Sequence, residues 1–181
     1  NESVTAMKRK EQYQDFHDFI IEGTMLCLEK YTINELPLTE VCKKAGVSRM
    51  TFYRHFKNKE EVVLEYFELI YDKFLKELLE LESINSLILS EKLVGLFVEQ
   101  EEEIEKAVKG NYYSLVFQVF AQKMTIFYNE TTTWADYLGT KQKFWNDFMA
   151  AGLFYVLGNW VKNGCQDSYD EVVKMVVEFH E

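Results

Sequence analysis

The chain has 181 residues, 30 Asp and Glu against 20 Lys and Arg, and 48% hydrophobic residues, with eight glycines and a single proline. That length can bury a sizeable core in one or two small domains, and so few breakers argue for a nearly all-helical protein. Three widely separated cysteines, Cys27, Cys42 and Cys165, odd in number and without C-x-x-C spacing, fit a reducing compartment better than a disulfide framework.

No apolar stretch follows Lys8, Arg9 and Lys10, so no secretory signal is expected. The most apolar run, residues 148–161, is shorter than the roughly 18 to 20 residues of a membrane span. The expectation is a soluble, cytoplasmic protein.

In chain order, residues 11–31 read as a first helix through Phe16, Phe19, Ile20, Gly23 and Cys27, with His17 beside its apolar face. Residues 32–37 make a turn. Leu38, Val41, Cys42 and Ala45 then repeat at the i, i+3, i+4, i+7 spacing of a second short helix. Gly46 suits the position just past a helix end, and Ser48 can cap the next helix by accepting a hydrogen bond from an orphan backbone N–H. That third helix runs from Arg49 to about Phe56, with Val47, Phe52 and Phe56 inward. Arg49, Met50, Thr51, Tyr53, Arg54 and His55 are left on the outer face or flank.

Such a face suits DNA. An Arg fork matches guanine O6/N7, Met can touch a thymine methyl, and Thr, Tyr and His can bond phosphates. Charge is distributed accordingly: residues 1–60 hold ten basic and nine acidic side chains, whereas residues 61–181 hold ten and 21. Between Lys43 and Lys59 stand six basic residues and no acidic one, a patch that phosphates feel within a Debye length of about 8–10 Å.

The stretch AGVSRMTFYRHFKNKEE resembles the motif of TetR-type transcriptional regulators, in which A-G-V-S precedes a short recognition helix, an aromatic-x-His/Tyr-Phe run and then Ser/Asn-Lys-Glu. The likeness covers roughly residues 11–67. It implies base or groove contacts from Arg49, Met50 and Tyr53, phosphate contacts from Thr51, His55 and Lys59, and Thr39 near the groove. Met50 departs from the glycine most common there.

Asn58 and Glu61 read as a capping pair for a fourth helix continuing to about Leu81. Residues 82–89 break the pattern and mark a boundary. The expected domains are a helix-turn-helix head over 1–60, a connecting helix over 59–81 and a helical body over 82–181. In the body, helices are expected over 90–100, from the acidic run Glu101–Glu105 to Gly110, and over 112–129. A long helix capped by Thr140 follows to Asn163, and a last one opens with the Ser168–Glu171 capping pair.

The long helix carries apolar groups on more than one stripe, which a two-fold interface formed by 140–163 and 168–180 would cover. The TetR resemblance implies the same homodimer, a palindromic operator in double-stranded DNA and an effector pocket in the body. Aromatic lining candidates are Phe97, Phe117, Phe120, Tyr128, Trp134, Tyr137, Trp145 and Phe148; core packing explains the same stripe. The segment GLFYVLGNWVKNG is also similar, over a short apolar stretch, to a subgroup of regulators tied to dihydroxyacetone kinase.

The whole is therefore expected to be all-α, a three-helix DNA-binding head joined by a long helix to a ligand-binding and dimerisation domain. The expected function is that of a dimeric regulator, a repressor under a small-molecule effector. The alternative is a regulator or adaptor whose body binds a protein partner. No nucleophile–base pair, metal cluster or phosphate loop is visible, so no enzyme activity, cofactor or metal is expected.

Overall fold

The computed structural model describes residues 2–131 and 139–181, with side chains from residue 5 onward. Among the described residues there are α-helices and no strands, as the composition predicts: α1 Glu2–Cys27, α2 Leu38–Ala45, α3 Arg49–His55, α4 Lys59–Leu79, α5 Ser86–Glu99, α6 Glu101–Lys109, α7 Tyr113–Glu130, α8 Thr140–Lys162 and α9 Tyr169–His180. None of these helices is long and apolar enough to cross a membrane.

The chain forms two compact units. Residues 1–67 and 108–115 make the first, and residues 68–107 and 116–181 the second, so α4 begins in one and ends in the other. In the first unit Ile20, Ile33, Leu36, Val41, Phe52, Phe56, Val62, Val63 and Phe67 are buried. The α1–α2 contact is close because Gly23 has no side chain: a Cβ there would stand 3.0 Å from the Ala45 backbone nitrogen. Residues 108–115 join through the Ile33 N–H, which donates to the Gly110 carbonyl at 2.7 Å, and through Tyr112, buried against Phe67.

The second unit is organised on aromatic rings. Phe120 packs edge-on to Tyr71 and Phe97, and Phe154 of α8 lies against Phe97, Phe117 and Phe120 with centroids 5.2–5.7 Å apart. This spacing is the favoured range for aromatic pairs. Lys123 of α7 is pinned to Asp72 of α4 at 2.6 Å. Nearer the carboxyl terminus Tyr128 packs edge-on to Trp145 and meets His180, whose Nε2 stands 2.7 Å from the tyrosine oxygen. His180 Nδ1 lies 2.9 Å from the Val176 carbonyl, which only accepts, so Nδ1 carries the hydrogen and Nε2 accepts from Tyr128. Burial depresses the pKa of His180, with the Val176 bond opposing.

Several helix ends differ from the sequence reading. The first helix starts at Glu2 and stops at Cys27. α5 begins at Ser86, because Asn85 accepts from the Ile88 N–H at 2.9 Å; the polar run read as a break is a cap. Thr140 is the first residue of α8 and not its cap: Gly139 occupies that position, with φ 65° and no side-chain bond. The capping box of α9 is present in full, Ser168 accepting from Glu171 N–H and Glu171 accepting from Ser168 N–H.

Candidate nucleic-acid interface

The turn between α2 and α3 follows from two residues. Gly46 adopts φ 69°, ψ 30°, a left-handed conformation that glycine takes at no steric cost, and its N–H closes the end of α2. Ser48 is extended and its Oγ accepts from the Thr51 N–H at 3.0 Å, starting α3. Phe52 within this seven-residue helix and Phe56 at its end are buried in the first unit's core and anchor its inner side.

The outer side carries the predicted reading residues. Thr39, Ser48, Arg49, Met50, Tyr53 and Arg54 are exposed, Met50 by 68%. The exposed Met50 and Tyr53 stand about one helical turn apart, with Arg49 and Arg54 on either side of them in sequence. The Arg54 guanidinium rests on the Met50 sulfur at 3.6 Å, so these two side chains present one composite face. Thr51 is half-buried, its hydroxyl 3.0 Å from that of Ser48.

His55 and Lys59 are engaged within the protein. Lys59 directs its ammonium to the carbonyls of Leu36 at 2.8 Å and Asn34 at 3.5 Å, tying the 32–37 turn to the start of α4. That start is otherwise closed by Asn58, which accepts from the Glu61 N–H, while Glu61 accepts from the Lys57 N–H. His55 is half-buried beneath Tyr13, with ring centroids 4.0 Å apart. The Tyr13 hydroxyl donates to the Arg54 carbonyl at 3.4 Å, an orphan acceptor at the end of α3. Burial first, then the charges of His17 and Arg54, depress the pKa of His55; Glu65 acts in the opposite sense.

Sequence reasoning missed Tyr13, His17 and Glu65 as neighbours of this face. His17, read from the sequence as lying beside the apolar face of the first helix, bridges Glu65 and His55. Tyr13 and His17 are one helical turn apart on α1, and this i, i+4 aromatic pair was the available signal.

In the second unit the aromatic candidates divide. Phe97, Phe120 and Tyr128 are fully buried in ring clusters, Phe117 and Trp145 are half-buried against them, and Phe148 is exposed on α8. Trp134 and Tyr137 lie outside the described residues. A groove of about 590 Å³ runs beside α4 and α5, with a floor of Ile70, Phe74, Ile88 and Leu96 and with Lys73 and Lys92 among its charged walls. It is lined by none of the aromatic candidates. The carboxylates of α6 are partly answered by Lys106, which bonds Glu102 at 2.8 Å and lies 3.5 Å from Glu103.

Residues 20–66 match the family described as bacterial regulatory proteins, tetR family. Over 64 residues the chain is 31% identical to the HTH-type transcriptional regulator AcrR of Shigella flexneri, covering 35% of this chain and 30% of that relative's length. Two solved structures resemble nearly the whole chain. The fatty acid degradation regulator FadR of Bacillus halodurans has 18% identity and a TM-score of 0.54, over 91% of this chain and 94% of its own. The dihydroxyacetone kinase operon activator DhaS has 15% identity and a TM-score of 0.55, over 91% and 93%. At these identities the likeness is one of fold.

Proposed function

We infer that this chain, a member of the TetR family of bacterial regulatory proteins, is a dimeric, sequence-specific DNA-binding regulator that acts as a repressor under a small-molecule effector. The observation that carries the reading is the capped helix α3, anchored inside by Phe52 and Phe56 and exposing Arg49, Met50, Tyr53 and Arg54. Arg49, Met50 and Tyr53 reach base edges in the major groove, where a short helix fits and each base pair has a distinct pattern. Thr39, Ser48, Thr51, Arg54 and His55 hold phosphates. Lys59 acts chiefly by fixing the turn at the start of α4.

Homodimerisation uses α8 and α9. Phe144, Phe148 and Tyr155 are each at least 70% exposed along α8. A shallow apolar groove of about 210 Å³ lies among Phe148, Met149, Gly152, Leu153, Val156 and Phe179. Apolar rings left in water in this way favour a self-complementary interface, and two copies then present two heads to a palindromic site. The effector site is assigned to the second unit, in the groove beside α4, whose volume lies in the range of small-molecule sites. Because α4 also builds the head, an occupant pressed against its second half acts on the reading unit through one continuous helix.

Fluorescence anisotropy on labelled duplex DNA tests the reading. Affinity is expected to fall steeply with salt, because each neutralised phosphate releases counterions. Salt-independent affinity would contradict it.

A further inference from the structure

A cluster of titratable side chains in the first unit crosses three helices. Glu65 on α4 lies 2.5 Å from Nε2 of His17 on α1, and Nδ1 of His17 lies 3.3 Å from Nδ1 of His55 on α3. Tyr13 stacks on His55, and Phe56 stacks on His17 with centroids 4.6 Å apart. The His55 ring is thus fixed in orientation, and among the described residues its Nε2 has no hydrogen-bond partner.

Hydrogen-bond chemistry limits the states of this chain. A carboxylate only accepts, so His17 donates from Nε2 to Glu65. The contact between the two Nδ1 atoms then holds a single hydrogen. When both rings are neutral, that hydrogen belongs to His55, and Nε2 of His55 is a bare lone pair that repels a phosphate oxygen. One added proton reverses this. Either a cationic His17 donates to a neutral His55, or a neutral His17 accepts from a cationic His55, and in both arrangements His55 Nε2 carries a hydrogen. A second added proton sets two N–H groups face to face and opens the contact.

The charged and titratable groups facing His55 are His17 and Tyr13 from α1, Arg54 from its own helix and Glu65 from α4. Burial and the neighbouring positive charges disfavour a cationic His55.

We propose that Glu65 and His17 are positioning residues for the DNA contact of His55: the pair takes up one proton and so presents His55 Nε2 as a donor to a backbone phosphate. The inference rests on the DNA-reading role of α3 argued above. It makes duplex binding a proton-linked event. A phosphate beside His55 favours the protonated pair, so affinity rises as pH falls toward the ordinary histidine range.

The test uses the full chain and a duplex of arbitrary sequence at low ionic strength, where phosphate contacts dominate. Glu65→Gln keeps an acceptor for His17 and removes the charge. The unaltered chain is expected to bind about tenfold more tightly near pH 6.5 than near pH 8.5, as linkage to one proton allows, and Glu65→Gln to bind about tenfold more weakly near neutrality with a flattened profile. Nitrogen NMR of the imidazoles supplies a readout that a packing role would not move: His55 carries its hydrogen on Nε2 in the unaltered chain near pH 6.5. Equal profiles in the two chains, or a His55 bare at Nε2 under that condition, would overturn the inference while leaving DNA reading intact. Failure of the unaltered chain to bind the duplex at any pH overturns the DNA-reading role itself, and this inference with it.

Discussion

Ser48 performs two tasks that one pair of substitutions separates. It caps α3 and stands at the edge of the face assigned to DNA. With seven residues α3 is far too short to persist alone, so its ends matter disproportionately. Ser48→Ala removes the acceptor for the Thr51 N–H and is expected to cost about 1 kcal/mol of stability. Ser48→Asp restores an equally good cap, and its negative charge lies at the positive end of the helix, so stability stays within about 0.5 kcal/mol of the unaltered chain. In the proposed complex the same charge faces the DNA backbone. A unit charge about 6 Å from a phosphate is repelled by about 0.7 kcal/mol in bulk water and by about 2.8 kcal/mol at an effective dielectric near 20. Affinity for duplex DNA therefore falls roughly three- to hundredfold in this variant. Urea unfolding and fluorescence anisotropy read the two quantities separately. An S48D chain that unfolds as easily as S48A, or one that binds duplex with unaltered affinity, would refute the assignment.

Four further substitutions probe other parts of the molecule. Arg49→Ala should relax specificity at one base step and cost about 1–3 kcal/mol of discrimination there, measured by binding to singly substituted sites; an unchanged preference at every position would remove Arg49 from the reading set. Tyr128→Phe removes the buried hydroxyl that bonds His180 and should lower stability by about 1–3 kcal/mol in urea unfolding. The depressed pKa of His180 also means that the unfolded chain takes its proton first. Its stabilising effect is full above about pH 6.5 and is lost below it at about 1.4 kcal/mol per pH unit until the folded ring is protonated, a slope His180→Gln should remove. Phe148→Glu should lower the mass seen in sedimentation from that of the proposed dimer to that of a monomer without unfolding the chain, because Phe148 is 74% exposed; an unchanged dimer mass would exclude this face as the interface.

The head was legible because its signals are local. Gly46 and Ser48 fix the turn between α2 and α3 through their own backbone and side chain, and Phe52 and Phe56 mark the buried side of α3 by spacing. The capping box of α9 was equally local. The start of α5 was not, since Ser83, Asn85 and Ser86 have one composition whether they break a helix or begin it, and only the bond from Ile88 to Asn85 decides. The His55 environment was beyond sequence reasoning for another reason: His17 and Glu65 reach it across 38 and 10 residues of chain through tertiary packing. Phe97, Phe120 and Tyr128 read as pocket lining or core packing alike, because an aromatic stripe looks the same whether it fills a core or lines a cavity; here all three are buried, Phe97 against Phe120 and Tyr128 against Trp145. The groove beside α4 has mixed and charged walls with no periodic pattern, so nothing in the sequence pointed to it.

The measurement that bears most directly on the account is selection of binding sites from a pool of random duplex DNA by the full chain, with the recovered sequences aligned and footprinted. A dimer reading through two copies of α3 predicts an enriched palindrome whose half-sites lie about one helical turn apart or somewhat more, protected in successive major grooves. Recovery of no enriched sequence, or of an asymmetric one protected in the minor groove, would contradict it.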